Sequence, residues 1–298
     1  MLEAVIGDEM SMFVVGFVNY KTSVYMETQF KIYRDFAGEE FQIVIVENSR
    51  NMEEYDRILQ LAKKSAIPID ILSGDTAPRY SSDAHGCALQ QLYNHTLIKY
   101  PKATYLLTQD PDFFWVQPHF LTFLKEKLQT CVVVGAPYPE DGPTWSNFVG
   151  PHDFPVAFGA AHQIDALYRI KADFRWAQGP PAKDVGWQIR ERLKDEKYYA
   201  FVQEKFEISN SHSFSTDPTQ SKKWMSQPRK YLFGNTILAY HLFFGSFEMS
   251  ISRGMKLAKS GKICKREKIN QTMPSAQWQE GRIKLCEFFW KEINDAAK

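Results

Sequence analysis

Five short apolar runs rich in β-branched residues recur through the first half of the chain, at 12–18, 41–46, 67–72, 103–108 and 131–136. Runs of this length with no internal alternation are the mark of strands buried on both faces. Between them, apolar residues fall at helical spacing: Met26, Phe30 and Tyr33; Met52, Tyr55, Leu59 and Ala62; Leu89, Leu92 and Thr96; Phe120, Phe123, Leu124 and Leu128. Strand and helix therefore alternate. Right-handed βαβ crossovers follow from that order, and with them an α/β fold: a mostly parallel, doubly wound sheet with helices on both faces. In such a sheet, ligands bind beyond the carboxyl ends of the strands.

The 298 residues suit two domains or one large α/β domain with additions. With 44% apolar and 24% charged residues, the chain has the composition of a folded globular protein and not of a disordered one. Thirty-six basic and thirty-five acidic side chains nearly cancel, so no global charge advertises a nucleic-acid binder. Four widely spaced cysteines, Cys87, Cys131, Cys264 and Cys286, form neither a zinc knuckle nor a disulfide scaffold and fit a reducing, cytoplasmic setting. The first nine residues lack the cationic start and apolar stretch of a signal peptide, and no apolar run approaches the ~18 residues of a membrane span.

After Pro137 the texture changes. Five prolines between 137 and 155 break up a loop that carries Tyr138, Trp145 and Phe148. A strand at 156–160, a helix starting near His162, a helix over 183–195 and a strand over 199–203 are expected next, followed by a polar, lid-like stretch at 209–229. No internal repeat, G-x-G-x-x-G or Walker A motif occurs, which removes the common dinucleotide and P-loop sites. Polar residues nevertheless gather at the expected strand ends: Asn19, then Glu47-Asn48-Ser49, then Asp75, then Asp110-Pro111-Asp112. Singly, these are ordinary strand-end turn residues; their joint placement at one sheet edge points to a ligand site.

Several segments resemble the GT-A glycosyltransferases, particularly the family 2-like ones. Phe13 to Tyr20 looks like the opening strand, Ile45-Val46-Glu47-Asn48-Ser49 resembles the second-strand motif, and Leu107-Thr108-Gln109-Asp110-Pro111-Asp112 resembles the D-x-D metal segment. Lys183-Asp184-Val185-Gly186-Trp187 is similar to the acidic acceptor-side segment, and His241-Leu242-Phe243-Phe244-Gly245-Ser246 to a terminal His block. The resemblance implies a GT-A domain over 1–250, with a nucleotide-sugar half at about 1–115 and an acceptor half at 116–250. Residues 251–298 are then a basic and amphipathic helical extension.

That resemblance implies an inverting, metal-dependent sugar transfer from a nucleoside diphosphate sugar to a glycan or other hydroxyl acceptor. Expulsion of a diphosphate calls for a divalent cation to neutralise the developing charge, and carboxylates to hold it. Asp110 and Asp112 are the candidate carboxylates, with His241 completing the set; oxygen plus imidazole favours Mn2+ over Mg2+. Glu47 stands where the family usually has the Asp that accepts from uracil, so a uridine or thymidine diphosphate sugar is the leading donor, a UDP-sugar favoured, with Asn19, Asn48, Ser82, His85 and Asp110 as further donor contacts. The segment 81–86 is expected to precede a helix whose N-terminus faces the donor. Asp184 is the candidate general base, and Trp145 and Trp187 are candidate sugar-stacking residues. Two alternatives stay open: a metal-dependent hydrolase of nucleotide diphosphates or phosphoesters using the same residues, and a catalytically silent nucleotide-sugar-binding module.

Seven basic residues and one acid crowd 253–268, which reads as a solvated helix face or as a contact for a membrane surface or another polyanion. The segment 278–293 is amphipathic, with Ile283, Cys286, Phe289, Trp290 and Ile293 forming an apolar stripe suited to packing on the main body.

Overall fold

The structure is a computed structural model that describes residues 11–49, 51–74, 81–137, 153–177, 184–205, 229–242 and 276–296. The runs expected as buried strands form β1 (Met12–Asn19), β2 (Phe41–Glu47), β3 (Ile69–Ser73) and β4 (Ala103–Gln109). They lie in a seven-stranded sheet of order β3-β2-β1-β4-β7-β6-β8, completed by β6 (Val133–Pro137), β7 (Pro155–Gln163) and β8 (Tyr198–Ala200). The first four strands are mutually parallel. Alternate residues of β1 face opposite cores, which is why the run is apolar throughout: Phe13, Val15 and Phe17 point to one core, Val14 and Val18 to the other.

The first core is closed by α1 (Ser23–Phe36), α2 (Met52–Ser65), α4 (Phe120–Leu128) and α7 (Ala276–Ala296). The second is closed by α3 (Ser81–Lys99), α5 (Ile164–Arg169) and α6 (Trp187–Leu193). Helix α2 is delimited as its sequence implies: the Asn51 side chain accepts from the Glu54 amide at 3.1 Å, and Ala66 ends it in the left-handed region. In α7, Phe289 stacks on Phe114 at 4.6 Å and Trp290 meets Phe36 at 5.7 Å. The buried stripe is Leu285, Cys286, Phe289 and Ile293; Ile283, expected in it, is 47% exposed.

Several expectations need correction. The fifth apolar run, 131–136, does form β6, but β7 lies between it and β4 and runs antiparallel to both. The parallel series therefore stops at β4, although parallel pairings still predominate in the sheet. The strand expected over 199–203 is divided at Phe201: β8 stays in the main sheet, while β9 (Val202–Lys205) joins a second one. That second sheet, of order β5-β11-β10-β9, was not expected at all; it comprises β5 (Phe113–Trp115), β9, β10 (Arg229–Phe233) and β11 (Thr236–His241), all antiparallel. The segment 81–86 forms the first turns of α3 and does not precede the helix. Helix α6 is shorter than 183–195 because the left-handed Gly186 (φ 72°) holds its start at Trp187. Asp75, the loop with Tyr138, Trp145 and Phe148, nearly all of 209–229, and the basic run 253–268 lie outside the described residues, as does the side chain of Ser82. No helix among the described residues is long and apolar enough to cross a membrane.

Candidate metal centre

The carboxylates of Asp110 and Asp112 are placed by the point where the chain leaves one sheet for the other. The Asp110 amide donates to the Phe158 carbonyl at 3.0 Å, extending the β4–β7 ladder by one bond, and the Phe113 amide donates back to the Asp110 carbonyl at 3.0 Å. This tight turn delivers the chain into β5, where Phe113 pairs directly with His241 of β11. The Leu242 amide donates to the Asp112 carbonyl at 3.2 Å. Residues 129 and 131 positions apart in sequence are thereby fixed side by side by backbone pairing: His241 Nε2 lies 3.3 Å from Asp112 Oδ1 and 3.7 Å from Asp110 Oδ2. One ligand atom from each of the three lies within 4.8 Å of the others.

A buried amide network braces the turn from below. Gln29 Nε2, from α1, donates to the carbonyls of Pro111 (2.9 Å) and Phe113 (2.8 Å). Gln109 Nε2 donates to Gln29 Oε1 (3.0 Å) and to the Phe113 carbonyl (2.6 Å), while its Oε1 accepts from Tyr33 Oη (2.6 Å) and Trp115 Nε1 (2.7 Å). Every donor and acceptor of the Gln109 amide is used, as a buried side-chain amide requires. Neither glutamine was singled out from the sequence; the available signal is a glutamine ending the apolar run of β4 and another within the apolar face of α1.

The electrostatics call for a positive charge at this point. Burial and the neighbouring Asp112 carboxylate push Asp110 up to about 7, with the His241 imidazole opposing the rise and Asp184 adding to it. His241 is 2% exposed, between the rings of Phe158 (4.7 Å) and Phe113 (5.5 Å). Two crowded carboxylates and one imidazole match the donor preferences of a divalent cation, whose charge would reverse the pressure on Asp110. The residues present therefore fit such an ion.

His85 reaches this site from α3, on the other side of the main sheet, and the charge of Asp184 acts on Asp110. His85, in the second turn of α3, brings Nε2 to 3.6 Å from Asp110 Oδ1. The helix can come so close because Gly86 has no side chain: a Cβ there would sit 2.8 Å from the Phe174 carbonyl oxygen and 2.9 Å from Arg175 Cα and Trp176 N. Burial pushes the Asp184 carboxyl up, against the Val185 amide, which donates to its Oδ1 at 2.8 Å, and against the charges of His85 and Arg190. Arg190, 4% exposed and also not singled out from the sequence, is lowered to about 10 by burial and faces Asp184 and Asp153. Trp187 is the first residue of α6 and half-buried.

The other strand-end residues are committed inside the protein. Asn19, fully buried, donates to Glu54 Oε1 at 3.0 Å and accepts from the Thr22 hydroxyl at 2.8 Å. Glu47 is 2% exposed, and its Oε1 accepts from the amide and hydroxyl of Ser49. Asn48 donates to the Ala84 carbonyl at 3.0 Å, tying β2 to the first turn of α3. These bonds shape the carboxyl edge of the sheet around the site.

No protein-family model and no curated protein matches the chain. Among solved structures it is similar to the mannosyltransferase PcManGT from Pyrobaculum calidifontis in complex with GDP-Man and Mn2+, at 17% identity and a TM-score of 0.39 over 53% of this chain. The overlap spans 46% of that mannosyltransferase, less than half its length. It is also similar to 4-diphosphocytidyl-2C-methyl-D-erythritol synthase from Anaerococcus prevotii (13% identity, 65% of this chain and 90% of that one, TM-score 0.40). S. aureus TarS in complex with UDP-GlcNAc is a third (13% identity, 63% of this chain and 55% of that one, TM-score 0.41). All three TM-scores lie near 0.4 at identities of 13–17%, so function rests on the residues of the site and not on these likenesses.

Proposed function

We propose that the protein is a metal-dependent glycosyltransferase that moves a sugar from a nucleoside diphosphate sugar to a hydroxyl acceptor. The observation that carries this reading is the convergence of Asp110, Asp112 and His241 from two sheets, beyond the carboxyl end of β4, with the charge of Asp184 acting on Asp110. Asp110, Asp112 and His241 would hold the divalent cation, Mn2+ in preference to Mg2+. When bound, that cation supplies the Lewis acidity that stabilises the departing diphosphate. Asp184 takes the acceptor hydroxyl's proton as its oxygen bonds to the sugar C1 and the C1–O bond to the diphosphate breaks, with inversion. Arg190, whose positive charge opposes the rise of the Asp184 carboxyl, helps keep it ionised for that task. Because the Glu47 carboxylate is bonded to Ser49, a UDP-sugar donor rests on the sequence resemblance and not on a free Glu47 acceptor.

The hydrolase reading uses the same carboxylates and differs in one respect: it releases product without an acceptor. Incubation with a panel of UDP-, GDP- and dTDP-sugars, Mn2+ and mixed glycan acceptors, followed by mass spectrometry, separates the two. Transfer predicts acceptor-dependent release of the nucleoside diphosphate together with an acceptor heavier by one sugar, both lost in excess chelator. Equal release with and without acceptor, or undiminished turnover in chelator, would overturn the proposal.

A further inference from the structure

Asp110 meets an imidazole at each of its two oxygens. Nε2 of His241 lies 3.7 Å from Oδ2, and Nε2 of His85 lies 3.6 Å from Oδ1. Both separations are too long for a direct hydrogen bond. They are close to those of adjacent ligands on one ion, since two donors bound at about 2.0–2.2 Å lie roughly 3.0–3.6 Å apart for angles between 90° and tetrahedral. The mutually close set is Asp110, Asp112 and His241, and His85 stands just outside it against the remaining Asp110 oxygen.

We propose that His85 is a fourth protein ligand of the divalent ion, so that the centre is built from two carboxylates and two imidazoles. This rests on the reading that Asp110, Asp112 and His241 hold that ion. The placement of His85 has its own structural cause. Gly86 lets α3 press onto the backbone of residues 174–176, and the Asn48 amide bonds the Ala84 carbonyl immediately before His85. The residue therefore sits on a braced helix turn and not on a free loop. Among the described residues no hydrogen bond ties its ring elsewhere, and 30% of its side chain is exposed, so nothing there holds the imidazole away from an ion at Asp110. A second imidazole shifts the preference of the site toward Mn2+ and later transition metals and away from Mg2+, which favours oxygen donors.

The test uses the full chain with Mn2+ alone, without donor or acceptor. Electron spin-echo modulation from histidine nitrogens should report two coordinated imidazoles in the wild type, replaced by the corresponding 15N pattern when the protein is grown on 15N-histidine. His85→Ala should leave one imidazole and weaken Mn2+ binding, followed by calorimetry, at least about 10-fold, with an unchanged melting temperature. Should that variant unfold, the 15N-labelled wild type alone still counts the imidazoles. A single imidazole in the wild type, or two Mn2+ ions per chain, overturns the assignment of His85 and leaves the triad standing. Absence of any bound Mn2+ overturns both. Sugar transfer is not read in this experiment, so a failure of the glycosyltransferase reading remains distinguishable.

Discussion

His162 ties the stability of the main sheet to pH. It lies near the C-terminal end of β7, opposite Leu106 of β4 and Val133 of β6, is 2% exposed, and its Nδ1 has no hydrogen-bond partner among the described residues. Burial lowers its pKa from 6.5 to about 4, so the ring stays neutral in the folded protein well below the pH at which the unfolded chain takes up a proton. Between those two values the unfolded state binds more protons, and stability falls as the pH falls. The full difference corresponds to about 3 kcal/mol, and at pH 4.5 most of it is already lost. Replacing the ring by a side chain that cannot titrate, His162→Leu, removes this contribution whatever the substitution costs at neutral pH. Urea unfolding of both proteins at pH 7.5, 6.0, 5.0 and 4.5 should show the wild type losing about 2 to 3 kcal/mol more than the variant across the range. Parallel stability curves would refute the argument, because they would mean that His162 is protonated, or accessible to water, inside the folded sheet.

Three further outcomes follow from the site. Asp184→Asn should lower kcat by about 10² to 10⁴ while donor affinity barely moves; a near-normal kcat in a steady-state assay would redirect the search for the base to Asp153, which accepts from the Tyr198 hydroxyl at 2.9 Å, or to Asp165. Gln109→Leu strands the Tyr33 hydroxyl and the Trp115 indole N–H, at about 1–3 kcal/mol each, so denaturant titration should show a loss of several kcal/mol and calorimetry weaker Mn2+ binding; an unchanged midpoint would show that the network does not brace the turn. Gly86→Ala forces α3 off the backbone of residues 174–176 and should cost about 1–3 kcal/mol in the same assay, whereas a stabilised variant would contradict the close packing.

The parts of this fold written most plainly in the sequence are the strands buried on both faces. β1, β2 and β4 are continuous apolar runs because each face meets its own core, and the Asp-Pro-Asp turn is legible because it ends one of them. The second sheet escaped for a physical reason. β5 has only three residues, too few to show a period, and β10 and β11 are recognisable mainly through their pairing with it. The insertion of β7 beside β4 is likewise a matter of long-range pairing, since an apolar run does not record its neighbour. At the site, acidic and imidazole side chains could be picked out by type; Asp110, Asp112 and His241 lie together, with His85 3.6 Å from Asp110. The internal commitments of Asn19 and Glu47 could not, because their partners Glu54, Thr22 and Ser49 are ordinary helix-cap and turn residues until the chain is folded. Arg190, Gln29 and Gln109 read as helix-face or strand-end polar residues, and only burial reveals that they answer to the site.

Binding of a nucleoside diphosphate sugar through an ion at Asp110, Asp112 and His241 is tested most directly by comparing thermal unfolding of the wild type and Asp112→Asn with a panel of nucleotide sugars, with and without Mn2+. A ligand at about 100 times its dissociation constant adds about 2.7 kcal/mol, which for a chain of this size raises the melting temperature by about 5 °C. That shift is expected in the wild type for at least one nucleotide sugar, only when Mn2+ is present, and is expected to be absent in Asp112→Asn at an unchanged starting melting temperature. An equal shift without Mn2+, or an undiminished one in Asp112→Asn, would contradict it.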